Sequence, residues 1–175
     1  MKNKNFFDLK QKKIVVVGGS RGIGKIISKT LNDYGAKVIV LSRSNNDNEN
    51  EKKIIYKKCD INNLEDLSSA YLYVKKKFKK FDVLYNCAGI SNSSKTIGTK
   101  DDNFEKIIIT NLISIYNLTK KFVKILNRNS SIVNISSIAS YQGFPKNPGY
   151  ISSKAGLSGL TRALAYDFSD KDIRV

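Results

Sequence analysis

The sequence predicts an α/β fold: a doubly wound parallel sheet with helices on both faces. Three features carry that expectation. Short β-branched runs recur along the 175 residues, segments of helical apolar spacing separate them, and the first run ends in a Gly-Gly pair. Ile14-Val15-Val16-Val17 is the first buried strand. From Ile23 onward, Ile26, Ile27, Leu31 and Tyr34 recur at helical spacing as the expected core face of a first helix, which Gly35 stops in a left-handed conformation. Residues 38–41 and 54–56 read as the second and third strands. Leu67, Ala70, Tyr71, Val74 and Phe78 line one face of a second helix, opened by Asn62 and Glu65 as a capping box. The run Lys75-Lys76-Lys77-Phe78-Lys79-Lys80 closes that helix, where positive charge meets the negative end of its dipole. A fourth strand at 83–85, a helix through Phe104, Ile107, Ile108, Leu112 and Ile115, a fifth strand at 132–135 and a last helix from near Tyr150 complete the alternation. Strands joined through helices pair in parallel by right-handed crossovers.

Composition fits one domain across residues 1–175: 41% of the residues are hydrophobic, 26% are charged and only 2 are Pro. The Asn-rich stretch 44–53 has no apolar periodicity and reads as a surface loop, not a domain boundary. With no His and only Cys59 and Cys87, a His-based triad and a four-cysteine zinc site are excluded, so no metal is expected. No apolar stretch follows the charged N-terminus, and no run approaches the length of a membrane span. Free thiols in the cytoplasm, with no membrane partner, are therefore expected. The formal charge of +16 invites a polyanion. Lys far outnumbers Arg, however, and Asn and Ile are also abundant, the bias of AT-rich codons filling solvated positions. No nucleic-acid motif accompanies the charge, and no nucleic-acid partner is expected.

Gly18-Gly19-Ser20-Arg21-Gly22-Ile23-Gly24 places four of the 11 Gly in seven residues between the first strand and the first helix. Missing side chains let the backbone approach a phosphate, and the helix N-terminus offers free N–H groups and a positive dipole end. Tight strand-to-helix turns use glycine anyway, so this turn does not decide alone. Its spacing is G-x-x-x-G-x-G, whereas the common dinucleotide fingerprint is G-x-G-x-x-G. Further motifs follow. Cys59-Asp60-Ile61 comes after the third strand, Asn86-Cys87-Ala88-Gly89 after the fourth, Thr110-Asn111-Leu112 in the next helix, Asn134-Ile135-Ser136-Ser137 after the fifth strand, and Tyr150 with Lys154 in the last helix.

Together these motifs resemble the short-chain dehydrogenase/reductase family from about residue 12 to residue 175. The resemblance implies a Rossmann-like fold and an oxidoreductase that moves a hydride between a nicotinamide cofactor and a small carbonyl or alcohol substrate, an acyl thioester among the candidates. It is slightly stronger to 3-oxoacyl-[acyl-carrier-protein] reductases than to sugar or polyol dehydrogenases, and it implies a homo-oligomer assembled through the helices around Asn111 and Tyr150. By the same resemblance Gly18, Ser20, Arg21, Gly22, Ile23 and Gly24 form the cofactor turn, Asp60 and Ile61 meet the adenine, and Asn86, Ala88 and Gly89 border the cofactor. Asn111, Ser137, Tyr150 and Lys154 are then the catalytic set, with Tyr150 and Lys154 also touching the cofactor and Asn111 positioning a water chain.

Tyr-x-x-x-Lys occurs four times, at Tyr71/Lys75, Tyr73/Lys77 and Tyr116/Lys120 besides Tyr150/Lys154, so spacing does not select among them. Only Tyr150 has a serine thirteen residues upstream at a strand end and follows a Pro/Gly loop that opens a helix. The other three lie within helices, where an apolar ring beside a solvated ammonium suffices. Reducing a carbonyl leaves charge on oxygen, which a positioned acid must meet with a proton. Tyr150 suits that task, because Lys154 one helical turn away favours phenolate, and Ser137 would hold the substrate oxygen. Asn111 is a poor helix former among Ile108, Ile109, Leu112 and Ile113, which points to a polar task.

At the end of the second strand, Leu41-Ser42-Arg43 puts Ser42 where an acidic side chain would bind the adenosine ribose of NAD. Arg43 and Arg21 could grip a 2′-phosphate, so NADP(H) is expected over NAD(H). Two departures from the family pattern stand out. Val17 replaces a threonine common before the first glycine, and the family's sixth and seventh strands and substrate-covering segment have no counterpart up to Val175. The expectation is a C-terminally incomplete domain whose last helix leaves Leu157, Leu160 and Leu164 uncovered. Three readings stay open: a reductase seen in part, a nucleotide-binding remnant without turnover, and a basic module on nucleic acid.

Overall fold

The computed structural model describes residues 8–44, 54–93, 95–97 and 102–175. Residues 1–7 and 45–53, which include the N-terminus and nearly all of the Asn-rich stretch, lie outside the described residues. Five strands, β1 (Lys13–Val17), β2 (Lys37–Ser42), β3 (Ile54–Lys58), β4 (Phe81–Asn86) and β5 (Leu126–Asn134), form one parallel sheet of order β3-β2-β1-β4-β5. The expected fold class holds. Chain order reverses between β1 and β4, and in open α/β sheets the crevice at such a switch point is where ligands bind.

Because β1 is covered on both faces, it reads as an unbroken apolar run. Val15 and Val17 point into the larger core with Ile39, Leu41, Leu84 and Ile132. That core is closed by α2 (Leu64–Phe78), α4 (Ser114–Phe122) and α5 (Pro148–Asp167) through Leu67, Leu118, Phe122 and Leu157. Ile14 and Val16 face the other way, with Val38 and Val40, toward Leu31 of α1 (Gly22–Asp33). Between β4 and α4 the chain forms α3 (Asp102–Ile108) and then a π-helical segment, Ile109–Ile113.

The core face of α1 differs from the expected one: Ile23 and Ile26 are 64% and 68% exposed, while Gly24 and Ser28 are buried. A Cβ on Gly24 would collide with the Gly18 carbonyl oxygen, and the Ser28 hydroxyl donates to the Gly24 carbonyl at 2.8 Å. The first turns of the helix therefore lie so close to the glycine turn that only small residues fit beneath them, and Ile23 and Ile26 point outward while Leu31, farther along, still packs on the core. The cap of α2 also differs. Asn63, not Asn62, caps the helix, its Oδ1 accepting from the Glu65 and Asp66 N–H groups at 2.9 Å each. The helix ends within the lysine run as expected, with Lys79 at φ 59° and the Lys13 ammonium donating to the Phe78 carbonyl at 2.9 Å.

Contrary to expectation, Leu157 and Leu164 are buried and Leu160 packs against the core; Ile173, Phe168 and Val175 join the cluster that holds Leu157 and Leu160. On the side of β5 away from β4, Ile132 N–H donates to the Arg174 carbonyl at 2.7 Å and Arg174 N–H to the Ser130 carbonyl at 3.1 Å, a single parallel bridge. Among the described residues no helix is long and apolar enough to cross a membrane.

Candidate functional site

At the switch point the C-terminal ends of β1 to β4 border a cleft of about 320 Å³. Of the residues expected to meet a cofactor, Gly18, Ser20, Arg21, Ser42, Arg43, Asp60, Ile61, Ala88 and Gly89 line it, whereas Gly22, Ile23, Gly24, Asn86, Tyr150 and Lys154 do not. Gly18 adopts φ +80°, and a Cβ there would stand 2.7 Å from the backbone N and Cα of Ala88, so the turns after β1 and β4 touch backbone to backbone. The N-cap of α1, Arg21, makes no side-chain cap bond, the first turn carries no acidic residue, and Gly22 at φ +53° faces open space. These features fit the pyrophosphate of a dinucleotide, whose charge the helix N-terminus would meet. Gly24 works from below by letting the helix approach, and Ile23 points to solvent.

Asn86 is buried beside the cleft and does not line it. Its Nδ2 donates to Asn134 Oδ1 at 2.8 Å and, more weakly, to Thr119 Oγ1 at 3.4 Å, tying β4 to β5. It supports the site without lining it.

The other end of the site is built on the π segment and α5. Asn111 is fully buried; its Oδ1 accepts from Ile90 N–H and its Nδ2 donates to the Ile90 carbonyl, both at 2.8 Å, and Nδ2 also donates to Ser153 Oγ at 3.0 Å. Ser153 in turn donates to the Tyr150 carbonyl at 2.8 Å. Lys154 is 6% exposed, donates from Nζ to the Ile135 carbonyl at 2.7 Å, and lies 5.8 Å from the centroid of the Tyr150 ring. Burial pushes its pKa below that of an ordinary lysine, and Cys87 opposes that shift. A Cβ on Gly89 would stand 3.3 Å from Asn111 Oδ1 and 3.7 Å from Lys154 Nζ, so both side chains converge on the same bare backbone. Ser137 begins a short 3-10 turn, its Oγ accepting from Ala139 N–H at 3.1 Å, which leaves its own hydrogen to donate. The three competing tyrosines have packing tasks or face outward. Tyr71 meets Phe122 edge-on at 5.8 Å, Tyr73 lies under the ammonium groups of Lys57 and Lys77, and Tyr116 is exposed on α4.

A family described as short chain dehydrogenase matches residues 12–175. The chain belongs to the short-chain dehydrogenase family. It is 32% identical over 173 residues to a 3beta-hydroxysteroid dehydrogenase of Mediterraneibacter gnavus, covering 93% of this chain and 63% of that relative. It is 34% identical over 176 residues to a 3-oxoacyl-[acyl-carrier-protein] reductase of Rickettsia prowazekii, covering 96% and 71%. The ligand-free structure of Thermoplasma acidophilum aldohexose dehydrogenase superposes with a TM-score of 0.89 at 31% identity, covering 95% of this chain and 65% of that one. The chain thus spans about two thirds of the length of the proteins it matches.

Sequence reasoning passed over Ser153 and Ser114, gave Asn62 only a capping role and Thr110 only a place beside Asn111, yet all four tie the site of this short-chain dehydrogenase together by hydrogen bonds. The available signal was polar residues at positions where an apolar helix would bury them. Its two cysteines were read as free thiols, and both are. Burial, then Asp66 and Asp60, push the Cys59 thiol up to about 11; burial pushes Cys87 up to about 11 against the pull of Lys154. A thiol that holds its proton more tightly when folded contributes stability below its ordinary pKa of 9.0, and that contribution is lost as pH rises toward about 11. The urea unfolding midpoint should therefore fall across that window, and less so in Cys59→Ala. At pH 8 iodoacetamide should alkylate the folded chain far more slowly than the urea-unfolded one.

Proposed function

We propose that this chain forms the cofactor-binding and catalytic domain, residues 1–175, of an NADPH-dependent oxidoreductase that reduces a ketone or 3-oxoacyl carbonyl to the alcohol. Lys154 carries the reading: an ammonium buried beside Tyr150 and Asn111, with no carboxylate bonded to it among the described residues. An isolated buried cation is costly and is found where it has a chemical task. When bound, the nicotinamide supplies the hydride that reaches the carbonyl carbon. Tyr150 donates the proton to the carbonyl oxygen, Ser137 holds that oxygen by a hydrogen bond, and the charge of Lys154 stabilises the phenolate left on Tyr150. Asn111 keeps the Ile90 backbone and the Tyr150 turn in place around them. The domain works in the cytoplasm as part of a homo-oligomer.

The substrate reading rests on the segment between Ser137 and Tyr150, where Ile138, Tyr141 and Phe144 are 67%, 86% and 42% exposed. Three apolar side chains beside the reacting groups suit an acyl or other apolar ketone better than a sugar, in line with the named activities of the Rickettsia and Mediterraneibacter relatives. NADPH-dependent turnover measured on 3-oxoacyl thioesters, small ketones and aldohexoses tests it: thioesters should be fastest, and an aldohexose as the best substrate overturns the reading.

The cleft wall sets the cofactor preference: Arg21, Ser42 and Arg43 line it, and Asp60, in the adenine turn, is the one carboxylate among the described lining residues. NADPH should bind more tightly than NADH. Arg43→Asp should shift the ratio toward NADH by about 1 to 3 kcal/mol, since it removes a charge-assisted contact and adds a repulsion. Calorimetric titration of both cofactors checks this, and equal affinity in the parent chain sinks it.

A further inference from the structure

A second asparagine joins the two ends of the cleft. Asn62 follows Asp60 and Ile61 in the turn after β3 and lines the cleft with them. Its amide is used at both atoms: Nδ2 donates to Thr110 Oγ1 at 2.9 Å, and Oδ1 accepts from Ser114 Oγ at 2.8 Å. Thr110 and Ser114 are buried and bracket Asn111, one inside the π segment and one just after it. The turn that presents Asn62 is itself tied down, with Asn62 N–H donating to Asp60 Oδ1 at 3.0 Å and Asp60 N–H to Asp66 Oδ2 at 2.8 Å. A π-helical segment departs from the regular i→i−4 ladder and competes with the plain α-helical register, so side-chain bonds from outside the helix decide which is held. Here Asn62 does so from the adenine turn, while Asn111, within the segment, grips the Ile90 backbone.

We propose that Asn62 is a positioning residue that couples adenosine occupancy at Asp60 and Ile61 to the setting of Asn111, a proposal that rests on the nucleotide-binding reading above. Ordering the turn at Asp60 to Asn62 steadies Thr110 and Ser114, and through them the bond from Ile90 N–H to Asn111. The adenosine end thereby prepares the reacting end before the nicotinamide arrives.

Adenosine 2′,5′-bisphosphate is the probe, because it can fill the adenosine end without reaching the nicotinamide end. Binding is measured by calorimetry, and exchange of the Ile90 amide by NMR with and without probe, in the parent chain, Asn62→Ala and Thr110→Val. In the parent, the probe should bind and slow Ile90 exchange by about fivefold or more, the lower bound of ordinary coupling between sites. Both variants should still bind it and lose the slowing. A merely structural role raises Ile90 exchange equally with and without probe and leaves the ratio unchanged, which would overturn the proposal. Loss of probe binding in Asn62→Ala alone would make Asn62 a ligand contact and overturn it as well. If the parent binds neither the probe nor 5′-AMP, which lacks the 2′-phosphate, the nucleotide-binding reading falls and the coupling with it. Should Asn62→Ala fail to fold, Thr110→Val, which removes a single hydroxyl, decides the matter.

Discussion

Replacing Tyr150 by Phe is expected to leave NADPH affinity intact and to lower carbonyl reduction by about two orders of magnitude or more, the usual scale of general-acid help. The substitution keeps the ring beside Lys154 and deletes only the proton donor. Tyr71→Phe, Tyr73→Phe and Tyr116→Phe should leave the rate almost unchanged, since the Tyr71 ring packs on Phe122 and the Tyr73 ring lies beneath two ammonium groups, contacts that need no hydroxyl. Steady-state rates and calorimetry on the four variants check this. If one of the other three is the damaging change, the acid has been assigned to the wrong tyrosine.

Gly18→Ala is expected to be far more damaging than Gly22→Ala in the glycine turn. Gly18 and Gly22 both have positive φ, but a Cβ on Gly18 meets the Ala88 backbone at 2.7 Å while one on Gly22 meets nothing within 4 Å. Alanine at Gly22 therefore incurs only the left-handed penalty of about 1 to 2 kcal/mol. At Gly18 the same penalty adds to a clash with backbone that cannot swing aside, for a loss of about 3 kcal/mol or more. Relief by separating the two turns would also deform the cleft, so NADPH affinity should fall with stability in Gly18→Ala and much less in Gly22→Ala. Urea unfolding and calorimetry distinguish the two, and equal losses would show that the close approach of the turns is of no consequence.

How far the fold could be read from residues alone depended on how many partners each element needs. β1 and β2 are buried on both faces, so their apolar runs announce them without tertiary knowledge. The face of α1 was misread because its fit to the sheet depends on how near Gly24 can approach the Gly18 carbonyl, a property of the turn and not of helical periodicity. The same limit explains the cap of α2. Asn62 and Asn63 are equally able to cap, and the choice is made by Thr110 and Ser114, some fifty residues along the chain. The residues proposed to react are those the resemblance and the chemistry single out, and Asn111 stands out as a polar residue among isoleucines. Its partner Ser153 does not, because serine in a helix carries no mark until the bond across 42 residues of sequence is seen.

The Asn86–Asn134 bond acts as an index mark between neighbouring strands. The two residues stand directly opposite each other in the parallel register, and Asn134 passes the connection on to Thr161 of the last helix at 2.9 Å. Sliding β5 by two residues would keep every apolar side chain on its proper face, so hydrophobic burial alone would tolerate the error. It would also break the bond that holds the buried Asn86 amide, at a cost of about 1 to 3 kcal/mol. Ser137 lies three residues beyond Asn134, and Gly89 three beyond Asn86. A misaligned sheet would carry the serine a full pleat away from Gly89 and Lys154, and the amide pair is what makes that misalignment uphill.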